Sequence, residues 1–385
     1  MIRIGHFADT HLGYRQYGLS ERENDFYEQF NKIIDDMIEK KMDLIIHSGD
    51  LFEQPKPPIK ALLTAQAGFM KLLNNNIPVY VIAGNHDKLQ RSDSSIPQEL
   101  YENENFHILT PNKTTVYNDE LFIGGISFIG SSNQEMINKA LNIIKDKAEG
   151  YKYKILVLHG GTEKNFKLNP EFDNETIPYG FDYYAMGHIH NRIVDSFHEA
   201  TLSYPGSTEM RSANELEDYR TNGKGYNIVT FDEENEKMVT VEQVKIPLKR
   251  EFIQKDIEYP VLEEELEKLY QKICALDNKP LLFLTVKKGD FDRSEVMQEV
   301  HDKLKRDSLT IKLKYEPTDT ETGEDITEEQ QTAEQIIAKK IMEKYEDEEI
   351  TKLALNLYKQ LYIPNPEEAL KISKNYFEKR YEMEL

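Results

Sequence analysis

The sequence carries one cysteine, Cys274, in 385 residues. A single cysteine forms neither an internal disulfide nor a cysteine-rich zinc site, so the fold does not depend on an oxidising compartment. No stretch approaches the ~20 consecutive apolar residues that span a bilayer. The opening residues, Met1 to His6, lack a charged segment followed by an apolar one, so no secretory signal is expected. No internal repeat or low-complexity tract is visible. A glycine-rich loop ending in Gly-Lys-Ser or Gly-Lys-Thr is also missing, so the chain is not expected to hydrolyse ATP itself. Hydrophobic residues make up 39% and charged residues 30%, the balance of a folded, water-soluble protein. An intracellular location, cytoplasmic or at the nucleoid, with no membrane association, is the expectation.

Positive charge is scarce: the net charge is -21. Phosphate affinity comes mainly from Lys and Arg, so this balance taken alone argues against a nucleic-acid partner. The distribution weakens that argument. Between Glu316 and Ile350 there are thirteen acidic residues against three lysines, which places about half of the excess in one late segment.

Apolar runs alternate with helical spacing in the first part of the chain. Ile2 to Phe7, Leu44 to Ile46, Val79 to Ile82, Leu121 to Ile129, Ile155 to Leu158, Tyr183 to Met186 and Tyr226 to Phe231 read as strands. Phe26, Phe30, Ile33, Ile34 and Met37 share one helical face, and Ile59 to Leu73 reads as a second helix. Layered α/β architecture follows. After about residue 240 a small mixed unit is expected: a helix near Leu262 to Cys274, a strand at Leu281 to Val286, a helix near Ser294 to Leu304 and a strand at Thr310 to Leu313. An acidic, breaker-containing linker over 316–327 follows. The tail reads as three helices, Glu334 to Tyr345, Glu349 to Tyr362 and Glu367 to Tyr381. Asn365 and Pro366 suit the N-cap and first turn of the last one.

Five blocks hold metal-capable residues, each after a strand-like run: Asp9-Thr10-His11, Gly49-Asp50-Leu51-Phe52, Gly84-Asn85-His86-Asp87, His159-Gly160 and Gly187-His188-Ile189-His190. Strand ends are where α/β sheets place their sites, so blocks distant in sequence are able to meet. Imidazole suits Zn or Fe and carboxylate suits Mg or Mn, so a mixed set fits a pair of divalent ions clamping a phosphoryl group. Any one block is as well explained by a capped carboxylate or a core histidine. Five together are not.

The ordered set resembles the calcineurin-like metallophosphoesterases. Gly49-Asp50-Leu51-Phe52 and the neighbouring His11-Leu12-Gly13-Tyr14-Arg15-Gln16-Tyr17 narrow the resemblance to the SbcD/Mre-eleven family, archaeal type, the nuclease subunit of a double-strand-break repair complex. The resemblance implies a four-layer phosphoesterase sandwich over residues 1–240, a capping domain over 241–315 that limits DNA access, and a helical region over 328–385 that binds an SMC-like ABC ATPase of the SbcC/Rad-fifty type. It further implies a homodimer through the phosphoesterase domain, for which Leu62 and Ile96 to Tyr101 are candidates. Two Mn2+ per chain are implied, with Mg2+ or another divalent ion as the alternative. Asp9, His11, Asp50 and His190 would hold one ion, and Asp50, Asn85, His159 and His188 the other. His86 matches the family's catalytic histidine. Tyr14, Arg15, Tyr17, Ser207 and Arg211 are candidate DNA contacts. The implied reaction is 3′-to-5′ exonuclease and endonuclease hydrolysis at DNA ends. One position departs: Glu53 stands where many members carry histidine, which leaves the balance of the two activities open. The rival readings are a small-molecule or nucleotide phosphodiesterase on the same metal core, and a DNA-end tether with structural metals.

Overall fold

A computed structural model describes residues 1–88, 95–165, 170–173, 175–234, 238–316, 341, 348–362, 370–374 and 376, without side-chain detail for 348 and 358–362. The chain divides into two units, Met1–Pro317 and Thr318–Leu385.

In chain order the first unit runs β1 (Ile2–Phe7), α1 (Ser20–Glu39), β2 (Leu44–Ser48), α2 (Ile59–Asn74), β3 (Val79–Ile82), β4 (Phe106–Ile108), β5 (Thr115–Tyr117), β6 (Leu121–Ile126), α3 (Gln134–Ala148), β7 (Tyr153–His159), β8 (Tyr183–Gly187), β9 (Ile193–Phe197), β10 (Ala200–Tyr204), α4 (Leu216–Asn222), β11 (Gly225–Phe231) and β12 (Val239–Lys245). It continues through β13 (Phe252–Glu258), α5 (Leu262–Cys274), β14 (Leu281–Lys287), α6 (Arg293–Leu304) and β15 (Thr310–Glu316). Two six-stranded sheets result, ordered β12-β11-β1-β2-β3-β4 and β5-β6-β7-β8-β10-β9. Strands β1 to β4 pair in parallel, as do β6, β7, β8 and β10; β11, β12, β5 and β9 pair antiparallel at the flanks.

The layering follows from the two-residue period of a strand. On β2, Leu44 and Ile46 face one core and Ile45 another; on β3, Tyr80 and Ile82 oppose Val79 and Val81. Ile155 and Val157 of β7 meet Leu44, Ile46, Tyr80 and Ile82 between the sheets, while Leu156 and Leu158 point to the far side. Helices α1 and α2 cover the first sheet through Phe30, Ile33, Ile34, Ala61, Ala65 and Phe69, and α3 covers the second through Ile137, Leu141 and Ile144. Three cores therefore separate four layers: helix, sheet, sheet, helix. Strands buried on both faces read as continuous apolar runs, which is why they were legible. Each fully buried Phe or Leu contributes about 1.5–3 kcal/mol, so truncation of Phe69 to Ala would cost about 3–5 kcal/mol.

Strands β13, β14 and β15 form a separate three-stranded parallel sheet with its own core, built from Ile257, Leu266, Leu284, Val286, Val296 and Val300. Phe252 and Leu281 pack with Met210 and Leu216, which anchors this sheet beside the 207–216 segment. Asp292 caps α6, accepting from the backbone N–H of Ser294 and Glu295.

In the second unit the helix α7 spans Glu348–Tyr362. The other two helices expected in the tail fall mostly outside the described residues, as does most of the linker. Among the described residues no helix is long and apolar enough to cross a membrane. Of the segments considered for dimerisation, Tyr101 donates to the Leu62 carbonyl at 2.9 Å and is almost buried, while Leu100 is exposed.

Candidate metal centre

The metal-capable blocks all lie just past, or at, the ends of parallel strands: Asp9 and His11 after β1, Asp50 after β2, Asn85 and His86 after β3, His159 closing β7, and His188 and His190 after β8. The loops after β1 and β2 are laced together by backbone bonds from Asp9 to Gly49, His11 to Asp50 and Leu12 to Leu51. Asp87 ties the third loop to them. Its carboxylate accepts from the N–H of Gly84, Leu51 and Phe52 at 2.8–3.1 Å, so this buried aspartate organises the turn rather than facing the centre.

Asp9, His11, Asp50 and His188 adopt positive φ of 51°, 45°, 54° and 90°. Left-handed backbone costs about 1–3 kcal/mol at a non-glycine residue, and its concentration at one place marks a functional site. Neighbouring glycines permit the close approach. A Cβ on Gly84 would overlap the Asp50 carboxylate, one on Gly49 the His159 ring, and one on Gly187 the Ser48 carbonyl.

The polar atoms converge. Asp50 Oδ2 lies 3.4 Å from His159 Nε2 and 3.9 Å from His11 Nε2. Asn85 Oδ1 is 3.0 Å from both His159 Nε2 and His188 Nδ1. His11 Nε2 and His190 Nε2 face each other at 3.2 Å. Among the described residues three groupings place ligand atoms within 4.8 Å of one another: two at the centre, Asp9, His11 and His190, and Asp9, Asp50 and His159, and one at the rim, His11, Glu53 and His86. Carboxylate, imidazole and amide donors crowded into so small a volume fit divalent cations of intermediate softness, with Asp9 and Asp50 between the two groups.

Charge follows burial. Burial pushes the Asp50 carboxyl up, but the imidazoles of His159, His11 and His86 outweigh it and hold it well below the usual range. Burial drives the His159 imidazole down, and Asp50 more than compensates, so its pKa rises. Asp9 is pushed up by burial despite the nearby histidines. His188, with less compensation, is driven down to about 3. The centre thus holds a carboxylate that demands a positive neighbour, a His159 imidazole that keeps its proton against that carboxylate, and imidazoles at His11 and His188 that burial keeps neutral, the state in which a ring nitrogen is a ligand.

His86 sits at the rim. Its ring meets His11 edge to face at 4.9 Å, and its Nδ1 donates to the Glu53 carbonyl at 2.9 Å, which leaves Nε2 as the other working nitrogen. Tyr14 lies half-buried with the Arg211 guanidinium 5.2 Å from its ring centre. Arg15 and Tyr17 are exposed, and Lys312 lies 4.8 Å from the Tyr17 ring. Ser207 is buried, bonded to Glu215 and Lys224. His47 packs on Phe7 with Nε2 near Thr10.

Sequence reasoning missed Glu215. Its only signature is a Ser-x-x-Glu capping box at Ser212 to Glu215, which the structure contains. The same carboxylate contacts His190 Nδ1 at 3.2 Å and the buried Lys224 ammonium at 2.6 Å. Nor was the support behind Arg211 foreseen. Gln16 donates to the Arg211 carbonyl at 2.7 Å and accepts from the fully buried Arg22 at 2.8 Å, and Arg22 also pairs with Asp25 and Glu209.

Residues 2–192 match the calcineurin-like phosphoesterase family. The chain is 38% identical to the "DNA double-strand break repair protein Mre11" of Methanocaldococcus jannaschii over 74% of its length and 76% of that protein. The protein of the same name from Methanococcus maripaludis is 32% identical over 99% of the chain and 100% of its own length. That from Thermoplasma acidophilum is 32% identical over 77% and 79%. With strand-end donors gathered at one centre, and relatives aligned along most of its length, the chain belongs to the Mre-eleven family of calcineurin-like phosphoesterases.

Proposed function

We propose that the chain is the nuclease subunit of a double-strand-break repair complex, hydrolysing DNA phosphodiesters at broken ends with two Mn2+ per chain, as 3′-to-5′ exonuclease and as endonuclease. The observation that carries this reading is the meeting of Asp9, His11, Asp50, Asn85, His159, His188 and His190 at one centre with His86 on its rim. Divalent ions bound there would lower the pKa of a bound water and neutralise phosphoryl oxygens.

The chain's own groups would do the rest. With its Nδ1 proton engaged by the Glu53 carbonyl, His86 has Nε2 as its second nitrogen, which would take up a proton from solvent and pass it to the leaving oxygen. The Arg211 guanidinium at the mouth supplies positive charge to a backbone phosphate, and Tyr14 beneath it offers a stacking face. Asp9, Asp50 and Asn85 would orient the cations rather than the strand.

The reading extends to partners. Ile350, Leu353 and Leu357 recur along α7 at helical spacing, the pattern by which an amphipathic helix lies in a partner's groove. We assign residues 328–385 to binding an SMC-like ABC ATPase, residues 241–315 to capping the DNA approach, and the phosphoesterase domain to homodimer formation. The decisive experiment compares cleavage of linear duplex DNA with that of a small chromogenic diester, with Mn2+ present or chelated. Mn2+-dependent loss of nucleotides from DNA ends is expected. Hydrolysis of the small diester alone would replace this reading with that of a small-molecule phosphodiesterase.

A further inference from the structure

His11 and His190 approach each other with Nε2 facing Nε2 at 3.2 Å. The opposite nitrogen of each ring meets a carboxylate. Glu53 Oε2 is 2.9 Å from His11 Nδ1, and Glu215 Oε1 is 3.2 Å from His190 Nδ1. A neutral imidazole carries one proton, and an ionised carboxylate only accepts. We propose that Glu53 and Glu215 are the positioning residues of this centre: each holds the Nδ1 proton of one histidine, turns its Nε2 lone pair inward, and is yoked to the other through Arg211. The proposal rests on the reading of the site as a metal centre.

The yoke is a single residue with two attachments. The Arg211 backbone N–H donates to Glu215 Oε1 at 3.2 Å, and its Nη2 donates to Glu53 Oε1 at 2.9 Å. Each carboxylate also has its own cation. Glu215 receives the Lys224 ammonium, whose Nζ donates in addition to the His190 carbonyl at 3.0 Å, so His190 is held at ring and backbone alike. Ser207 and the Ser212 N–H complete its donors. Glu53 receives Arg211, and its own carbonyl takes the His86 Nδ1 proton. The two pairs add no net charge beside the cations, yet they set the tautomer and raise the basicity of two ligands.

The two props differ in quality. Glu215 is almost buried with each oxygen multiply bonded. The His11–Glu53 contact has ion-pair distance without hydrogen-bond geometry, and neither His11 Nδ1 nor Glu53 Oε2 has a hydrogen-bond partner. Contacts of this kind tighten when a complex forms. Glu53 therefore acts as the adjustable prop and Glu215 as the fixed one.

The test uses the full chain labelled with 15N-histidine, with tautomers read from long-range 15N–1H correlations on the protein loaded with diamagnetic Mg2+, because without a cation two Nε2 lone pairs 3.2 Å apart repel, and affinity from calorimetric titration with Mn2+. The expected result is an Nδ1–H tautomer for both His11 and His190. Glu53→Leu should release the His11 tautomer, leave His190 unchanged and weaken Mn2+ binding ~10–100-fold. Glu53→Gln keeps an acceptor oxygen and should retain the tautomer. Glu215→Leu paired with Lys224→Met avoids stranding a buried lysine and should release His190 alone. The His6 signal reports folding in every variant, because that ring is bonded at both nitrogens, to Tyr183 and Ser48. An Nε2–H tautomer at His11 or His190 in the wild type would overturn the proposal. So would a Glu53→Leu protein with His11 unchanged and Mn2+ affinity within threefold. A wild type that binds neither Mn2+ nor Mg2+ would defeat the metal reading itself, and the positioning role with it.

Discussion

The deep and outer halves of the centre are built on different physical terms. In the deep half, Asp9 and His159 are fully buried and Asp50 is 2% exposed, with Gly49, Gly84 and Gly187 packed so closely that no side chain fits in their place. His159 Nδ1 donates to the Ser48 carbonyl at 2.8 Å, which fixes the ring from behind. In the outer half, Glu53, His86 and Arg211 are 19–26% exposed, with Arg211 paired to the Glu53 carboxylate and His86 bonded to the Glu53 carbonyl, contacts that water reaches. On the proposed reading, cations would bind where packing allows no adjustment, and a long, charged strand would be handled where side chains yield.

Substitutions at the two depths should separate these roles. The largest effect is expected at Asp50, whose carboxylate lies between His159 and His11. Asp50→Ala should empty both cation sites and reduce DNA cleavage to background, checked by elemental analysis and a nuclease assay. Undiminished metal content would show that Asp50 is not shared between the ions.

Next in size is His86→Ser, which removes a rim imidazole without touching the deep donors. It should keep its Mn2+ and lose ~10²–10⁴-fold in turnover, the usual contribution of acid–base assistance. Metal loss in parallel with activity would instead place His86 among the ligands and erase the division by depth.

Arg211→Ala should act more gently, chiefly on the strand and to a lesser degree through the Glu53 carboxylate it holds. DNA affinity should weaken and the slope of log affinity against log salt should fall by about one, as expected for one phosphate contact. Turnover on a small diester should change less than DNA cleavage does. An unchanged salt slope would confine Arg211 to holding Glu53.

Removal of residues 328–385 should disturb the centre least. Mn2+-dependent hydrolysis of a small diester should stay within about twofold of the full chain, while capture of the ATPase in a pull-down should disappear. Retained capture would move the partner surface into the first unit.

Legibility in the sequence followed burial. Strands β1, β2, β3, β7 and β8, covered on both faces, appeared as apolar runs, and α5 occupies the span that its apolar spacing indicated. The edge strands β9 and β12 alternate exposed with more buried positions and offered no run to notice. Helix α3 escaped too, because a narrow stripe of Ile137, Leu141 and Ile144 is diluted by charged residues on its open face. Strand β13 opens the small sheet with the polar residues Gln254, Lys255 and Asp256 at its centre and was likewise unseen.

The sequence by itself marked the candidate donors. Asp9, His11, Asp50, Asn85, His159, His188 and His190 are chemically distinct types placed at strand ends, and both properties are local. What only the tertiary structure decided is the use of each atom: which nitrogen of His11 faces His190, which carboxylate stands behind each ring, and that Asp87 ties loops together. His11 and His190 lie 179 positions apart, and Glu53 reaches Arg211 across 158. Contacts at such separation depend on sheet register, on the packing of one sheet over the other, and on left-handed turns at Asp9, His11, Asp50 and His188. No local pattern encodes those, because they arise only when the two sheets share a core.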